Sequence, residues 1–231
     1  MTDETAQEFY GRWADLYDVV ARRTPGIARL RRRVATACRL EPGDTVVEMG
    51  CGTGANLPYL RERVGPEGTV IGIDFTRPVL ERARDATAAY DNVHVLRADA
   101  TEPPFGATVD DGVDEQIDAI LATFVVGMLE EPERGVDDWC DLVKPGGHVV
   151  LANAARSEAW YAPPVNAAFR AIVVLSTPPT AKLRYENEPH VRLDEKIDAA
   201  HTRLRERAVA VADESHVFGV VRLTGGRLPD D

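Results

Sequence analysis

The residues best suited to chemistry lie in one short stretch, TVVEMGCGTGANLPYL at residues 45–60. An apolar run with a single acid, Glu48, leads into three glycines within five residues, Gly50, Gly52 and Gly54. Glycine tolerates positive φ and lets a ligand lie almost against the main chain. A helix beginning after the glycines adds free N–H groups and a partial positive charge. Strand, glycine turn and helix in this order predict the first unit of a nucleotide-binding α/β domain.

Two kinds of ligand are compatible with this glycine turn. Gly50, Gly52 and Ala55 satisfy the G-x-G-x-x-[GA] spacing, so an NAD(P)-dependent oxidoreductase is one hypothesis. Glu48 argues against it, because a buried carboxylate needs a partner and a pyrophosphate is itself anionic. A cofactor with a cationic amino-acid end would instead be attracted to this acid.

Acids also close the next two predicted strands. Asp74 follows TVIGI, at a position where a carboxylate accepts hydrogen bonds from two ribose hydroxyls. Asp99 follows the third strand and is placed to accept a hydrogen bond from an adenine amino group. The predicted antiparallel hairpin at the end of the chain, after five parallel strands, also differs from the pattern expected of a dinucleotide-dependent oxidoreductase. Together these features favour a cofactor that carries both an adenosine and an amino-acid end.

The elements that must position these acids alternate regularly along the chain. Nearly continuous apolar strands separated by helices indicate a parallel, doubly wound α/β sheet that is covered on both faces. The five strands are predicted at 45–49, 69–73, 93–97, 117–122 and 148–152. The segment 144–147, Lys-Pro-Gly-Gly, is predicted as a turn. Strands at 208–212 and 217–223 are joined by a short connection and are therefore expected to pair antiparallel.

The length of the chain fits a single domain over residues 1–231. Residues 1–40 are predicted to form an N-terminal helical cap, with helices over 5–19 and 27–39. The segment 157–189 contains two Pro-Pro pairs around an apolar stretch. It is predicted to be a lid insertion over the substrate.

Composition excludes several other classes of function. A net charge of −11 argues against nucleic acid as a partner, because phosphate binding needs a basic face. No run approaches the roughly 18 apolar residues of a membrane span, and the amino terminus is polar and acidic, which predicts a cytoplasmic protein. The three cysteines form no C-x-x-C pair, and no acid or histidine cluster has metal-ligand spacing, so no metal is expected.

One segment departs from the acidic composition. Residues 20–40 contain seven arginines and no acid. A solvated helix face is the favoured interpretation. The alternative is a surface for anions or lipids, and hence a peripheral membrane contact.

The motifs together resemble the class I S-adenosylmethionine-dependent methyltransferases. The resemblance covers about residues 8–153 through VVEMGCGTG, VIGIDFTRPVLERAR, RADA, IDAILATFVV and LVKPGG. The opening FYGRWADLYD is similar to the ubiquinone/menaquinone-biosynthesis methyltransferases and their phospholipid N-methyltransferase relatives. The resemblance implies S-adenosylmethionine as cofactor and a Rossmann-like, mostly parallel seven-stranded sheet with an antiparallel C-terminal strand. It also implies methyl transfer to a small-molecule or lipid- or quinone-like acceptor; a non-catalytic S-adenosylmethionine-binding protein is the alternative.

The resemblance also implies roles for individual residues. Glu48 would support the turn and the amino end of the cofactor. The glycine turn, Gly50, Cys51, Gly52 and Gly54, would lie beneath the methionine part. The other implied positions are Asp74 for the ribose, Phe75 beside the adenine, Asp99 and Ala100 at the adenine edge, Thr123 near the methionine, and Tyr10 and Tyr17 closing over the cofactor.

The sequence assigns no general base. Methyl transfer from a sulfonium is an in-line displacement, in which the enzyme aligns the reactants and excludes water. A base is needed only when the attacking atom must lose a proton. The polar side chains considered for that role are Tyr10, Tyr17, Tyr185 and His190. Cys51 is interpreted either as a reactive thiol or as a small residue that fills a tight turn, and the second is favoured.

Overall fold

The computed structural model describes residues 27–105, 116–157, 162–164, 166–167 and 189–230. The helices are α1 (Ile27–Ala37), α2 (Leu57–Val64), α3 (Arg77–Thr87), α4 (Pro132–Leu142) and α5 (Pro189–Arg207). The strands are β1 (Thr45–Met49), β2 (Thr69–Asp74), β3 (Val93–Arg97), β4 (Ile117–Thr123), β5 (Val143–Ala154), β6 (Ala210–His216) and β7 (Val221–Arg227). A short 3-10 helix, Val126–Met128, follows β4.

All seven strands form one sheet in the order β3-β2-β1-β4-β5-β7-β6. Strands β1 to β5 are parallel, and β7 runs antiparallel between β5 and β6. This confirms the predicted Rossmann-like doubly wound sheet with its antiparallel C-terminal strand. The strand order reverses between β1 and β4. Open α/β sheets bind ligands in the crevice that forms at such a reversal.

Helices cover both faces of the sheet, as the apolar strands predict. In β1, Val46 packs in the cluster that includes Leu30 of α1 and Leu57 of α2. The neighbouring Val47 packs in the opposite cluster, with Trp139 of α4 and Ile197 of α5. Because side chains alternate along a strand, Glu48 points to the same face as Val46, toward α1 and α2. No helix in the described ranges is long and apolar enough to cross a bilayer.

The sequence misplaced the C-terminal hairpin. Strand β6 extends to His216 and β7 extends to Arg227, so both strands lie further along the chain than 208–212 and 217–223. Strand β6 is an exposed edge strand with the polar segment ADESH, and β7 contains two successive glycines. Neither has the continuous apolar pattern on which the strand assignment relied.

The predicted turn at 144–147 is also wrong. These residues belong to β5, which begins at Val143 directly after α4. The register between β4 and β5 shifts between Ile117 and Ala119, and Gly146 has φ +74°. An irregular strand of this kind tolerates the Pro-Gly-Gly sequence that indicated a turn.

The tip of the β6–β7 hairpin is predicted to be strained. Val217 and Phe218, in the four-residue connection between β6 and β7, have φ of +50° and +56°, a region that favours Gly and Asn. Phe218 is 72% exposed, so its ring gains little from packing. Because a left-handed conformation costs about 1–2 kcal/mol for each L-residue, we expect Val217→Asn/Phe218→Gly to raise the free energy of unfolding by about 1–3 kcal/mol. Urea denaturation would measure the change.

The control for this hairpin variant is Val209→Asn, which removes an exposed valine that has no positive φ. It should leave the urea midpoint close to that of the parent protein. A double variant that is no more stable than the parent would show that the turn is not strained.

Candidate functional site

The candidate site is built at the carboxyl end of β1, beside the crevice between β1 and β4. Gly50 follows β1 with φ +65°, and a Cβ added there would lie 2.4 Å from Cγ2 of Val125. The N–H of Cys51 donates to the carbonyl oxygen of Ile73 in β2, at 2.8 Å. The glycine turn is therefore held between β2 and the residues that follow β4, and its first position excludes any side chain.

Gly52 lies in a different environment from Gly50. It has φ +54°, and a Cβ added there would meet no atom within 4 Å. Its N–H donates to Oδ2 of Asp74 at 3.1 Å, while Oδ1 of Asp74 accepts from the N–H of Thr76 at 2.8 Å. Burial raises the pKa of Asp74. The third glycine, Gly54, has φ +73° and packs against α3. The turn thus leaves open space over Gly52 and has an acid fixed directly behind it.

Glu48 is only 1% exposed, and its two carboxylate oxygens differ in their hydrogen bonding. Oε1 accepts a hydrogen bond from Nδ2 of Asn56 at 2.6 Å. Oε2 is buried and has no hydrogen-bond partner in the described part of the protein. Burial raises the pKa of Glu48 to about 7. A buried acceptor without a donor is costly, so this oxygen is suited to a cationic or N–H group of a ligand.

Asn56 is a site residue that the sequence did not reveal. Its Nδ2 donates to Oε1 of Glu48 and also to Oγ1 of Thr123, at 3.0 Å. Its Oδ1 accepts from Nη1 of Arg31 in α1, at 2.7 Å. Asn56 therefore joins β1, β4 and α1 at the site. Its position just before α2 was the available signal, because asparagine is common at helix N-termini.

The positions predicted for the adenine side lie at the ends of β2 and β3. Phe75 is half-exposed directly after Asp74. Asp99 is exposed, and its Oδ1 accepts from both the N–H and the hydroxyl of Thr101, at 2.8 and 2.7 Å. The carbonyl oxygen of Ala100 accepts from Nε1 of the buried Trp139 at 2.7 Å. The loop after β3 is thus anchored to the core by a residue of α4.

The remaining sequence predictions have different outcomes. Cys51 is buried, and burial raises the pKa of its thiol well above the usual value, which favours its interpretation as a turn-filling residue. Tyr10, Tyr17 and Tyr185 lie outside the described residues, as do the helix predicted at 5–19 and most of the lid segment 157–189. His190 lies in α5, but its side chain is outside what the structure describes.

A second buried polar group lies near the end of β5. His201 of α5 is 2% exposed, with Nδ1 2.7 Å from Oγ1 of Thr224 and Nε2 3.2 Å from Oδ1 of Asn153. Burial lowers the pKa of His201 to about 4. This group ties α5 to β5 and β7, and it is neutral at physiological pH.

The sheet order, together with an acid–glycine turn after β1 and an acid at the end of β2, defines the class I methyltransferase fold. Residues 46–147 match the family model described as a methyltransferase domain. This stretch therefore matches a methyltransferase domain, and the chain resembles the S-adenosylmethionine-dependent methyltransferases, including those of quinone biosynthesis.

Several known proteins are similar to the chain. Phosphatidylethanolamine N-methyltransferase of Cereibacter sphaeroides is 35% identical over 62% of this chain and 65% of that protein. Demethylmenaquinone methyltransferase of Clavibacter sepedonicus is 31% identical over 52% and 45%. Arsenite methyltransferase of Halobacterium salinarum is 29% identical over 51% and 29%. A solved methyltransferase structure from Aquifex aeolicus, 19% identical, has a TM-score of 0.62 over 94% of this chain and 98% of that one, which shows the fold alone.

The chain spans less than two thirds of the length of each of these three curated relatives. Their names also disagree about the acceptor, since one names phosphatidylethanolamine, one demethylmenaquinone and one arsenite. The reaction and the acceptor of the whole protein are therefore matters for proposal.

Proposed function

We propose that the protein transfers a methyl group from S-adenosylmethionine to a small-molecule or lipid-like acceptor. One observation carries the proposal: a buried carboxylate with an unused oxygen lies on β1, immediately before a glycine turn with open space over its centre. A cationic amino-acid end fits this combination of charge and space. A pyrophosphate does not, because Glu48 would repel it.

The residues at the site fit S-adenosylmethionine on two grounds. Oε2 of Glu48 is a buried acceptor that the ammonium of the methionine part would satisfy, and ionisation of this acid would add charge attraction. The space over Gly52 lets main chain and ligand approach closely. In this proposal Gly50, Gly52 and Gly54 hold the methionine part and Asp74 holds the ribose. Phe75, Asp99 and Ala100 hold the adenine.

The chain's own residues contribute mainly alignment. When bound, S-adenosylmethionine supplies an electrophilic methyl group on a sulfonium. Asn56 fixes Glu48 and Thr123 relative to each other through two hydrogen bonds from one amide. Asp74 fixes the centre of the turn through Gly52. Such fixed geometry lowers the barrier to in-line attack without requiring a proton transfer by the protein.

A lipid- or quinone-like acceptor is favoured by the surface at this edge of the sheet. Met128, just after β4, is 60% exposed, and Phe218 is exposed at the tip that follows β6. Strand β6 runs parallel to β5, so its carboxyl end lies at the same edge as the glycine turn. An apolar acceptor bound at this edge would bury such side chains, which would stabilise the complex. The names of the phosphatidylethanolamine and demethylmenaquinone relatives support the same class of acceptor.

The proposal predicts tight binding of S-adenosylhomocysteine and methyl transfer into lipid. Calorimetry should detect binding of S-adenosylhomocysteine and no binding of NADH. Incubation of the protein with cell extract and methyl-labelled S-adenosylmethionine should place label in the lipid fraction.

The outcomes separate the alternatives. NADH binding without S-adenosylhomocysteine binding would favour the oxidoreductase and overturn the proposal. Label confined to the aqueous fraction would reject the lipid acceptor and retain methyl transfer. Tight cofactor binding with no labelling across a broad set of acceptors would favour a non-catalytic binding protein.

A further inference from the structure

A groove of about 250 Å³ lies between α1 and the outer part of the sheet. Its walls come from α1, the residues after it, and strands β5, β6 and β7. His148 on β5 pairs with Ala119 of β4 and Arg227 of β7, toward the amino ends of the parallel strands. The glycine turn lies at their carboxyl ends. The end of the groove that holds His148 and Arg227 therefore lies toward the opposite edge of the sheet from the proposed cofactor site.

Cationic groups converge on this groove from three elements. Arg39 follows α1, His148 lies on β5 and Arg227 lies on β7. The side chains of Arg39 and His148 make no hydrogen bond or ion pair with any residue that the structure describes. Burial, together with the positive charges of Arg227 and Arg39, lowers the pKa of His148. Three basic groups thus face one another, although the chain as a whole carries a charge of −11.

Nearby acids offset this charge only in part. Glu214 on β6 pairs with Arg33 of α1, with Oε2 2.6 Å from Nε. Asp230 pairs with Arg227. Across these described groups, Arg33, Arg39 and Arg227 face two carboxylates, and His148 adds a further positive charge when it is protonated. Like charges gathered in this way are stabilised by a bound anion.

The floor of the groove is apolar and leaves room for more than an ion. Gly225 on β7 has no side chain, and a Cβ added there would be 3.7 Å from the carbonyl oxygen of Ala37. Leu223 and the half-exposed Val211 continue this surface beside the cations. A ligand with an anionic head and an apolar substituent would match both parts.

We propose that this groove binds a phosphate group, either free or as part of a phosphate ester. Arginine guanidinium groups donate in a fork that matches phosphate oxygens, and donors on three elements suit a tetrahedral anion better than a planar one. A lipid headgroup and a soluble phosphate share this chemistry. The site is independent of the proposed methyl transfer.

Calorimetry with inorganic phosphate tests the site directly in the intact 231-residue chain. The parent protein should bind phosphate, and Arg39→Gln/Arg227→Gln should bind at least tenfold more weakly. Arg77→Gln is the matched control, because it removes an exposed arginine on α3 and should leave phosphate affinity unchanged. S-adenosylhomocysteine affinity should be unchanged in both variants, which separates a failure of this site from failure of the methyltransferase proposal.

A second readout is the titration of His148 followed by NMR. Bound phosphate should raise the pKa of the His148 imidazole, since it adds negative charge beside a group whose pKa is lowered by burial and by two arginines. The charged groups that line the groove, or pair with an arginine that does, are Arg33, Arg39, Glu214, Arg227 and Asp230. The pKa of His201, which lies buried against Thr224 and Asn153, should not move.

Vesicles distinguish the two sources of phosphate. Binding to vesicles that contain phosphatidylglycerol, and not to pure phosphatidylcholine, with loss in Arg39→Gln/Arg227→Gln, would identify a lipid headgroup. Phosphate binding without vesicle binding would identify a soluble phosphate. Absence of phosphate binding at millimolar concentration, or equal binding by the double variant, would overturn the proposal.

Discussion

Glu48→Gln is expected to weaken S-adenosylhomocysteine binding about 10- to 100-fold without destabilising the fold. The carboxylate and a ligand ammonium form a charge-assisted hydrogen bond in a buried site, which contributes about 1.5–3 kcal/mol. Gln keeps an oxygen that accepts the hydrogen bond from Asn56, so this part of the site is retained. It also removes a buried ionisable group, so the free energy of unfolding should stay constant or rise near neutral pH. Calorimetry and thermal denaturation would measure the two effects.

Glu81→Gln is the matched control for this substitution. Glu81 is an exposed acid on α3 that pairs with Arg77, and its replacement should change neither quantity. If Glu48→Gln bound S-adenosylhomocysteine within twofold of the parent protein, Glu48 would have no part in holding the cofactor. The same result would remove the main argument against an NAD(P) cofactor.

The pH dependence of stability provides a further measure of Glu48. Its pKa is raised from 4.5 to about 7 in the folded protein, so folding favours the protonated form. The contribution of this group to stability is therefore lost as pH rises from 4.5 to about 7, by at most about 1.4 kcal/mol for each pH unit. His201 acts in the opposite direction, since its pKa is lowered from 6.5 to about 4 and stability is lost as pH falls through that range.

The difference in unfolding free energy between parent and Glu48→Gln isolates the Glu48 contribution from that of His201. We expect this difference to change by several kcal/mol at most between pH 4.5 and 7 and to level off above 7. Binding of S-adenosylhomocysteine should tighten between pH 5.5 and 7.5, because the ligand ammonium favours ionised Glu48. A pH-independent difference would show that folding does not raise the pKa of Glu48.

Gly52→Ala is expected to reduce cofactor affinity by about 100-fold or more while the protein stays folded. The added methyl group meets no protein atom within 4 Å, so it occupies only the space proposed for the ligand. The positive φ of +54° costs about 1–2 kcal/mol of stability for an alanine. Gly43→Ala is the control, because Gly43 also has positive φ and open space but lies in the turn before β1. It should lose similar stability and keep full affinity.

Gly50→Ala should behave differently from Gly52→Ala. Its Cβ would overlap Cγ2 of Val125, so the substitution adds steric overlap, at about 1–3 kcal/mol, to the strain of a positive φ. Val125→Ala removes the overlapping atom, and the double variant should recover part of the lost stability.

Equal cofactor affinities for Gly52→Ala and Gly43→Ala, measured by calorimetry, would contradict the assignment of the glycine turn as the cofactor-binding site.

The main features of the fold could be predicted from the sequence because each rests on local pattern. Apolar strands at 45–49, 69–74 and 93–97 and the glycines after Glu48 are visible as short runs with characteristic residues. The polar edge strand β6 and the irregular start of β5 were missed, because pairing with neighbouring strands, and not their own composition, makes them strands.

The sequence by itself determined that an acid precedes a glycine turn and that acids end the next two strands. Only the tertiary structure showed that one oxygen of Glu48 is satisfied by Asn56, that the other is not, and that Arg31 of α1 completes the arrangement. Only the tertiary structure also showed that Arg39, His148 and Arg227 line one groove. Arg39 and Arg227 are more than one hundred positions apart in the sequence. The physical reason is that backbone preference depends on neighbours in sequence. Hydrogen-bond satisfaction and charge convergence depend instead on neighbours in space.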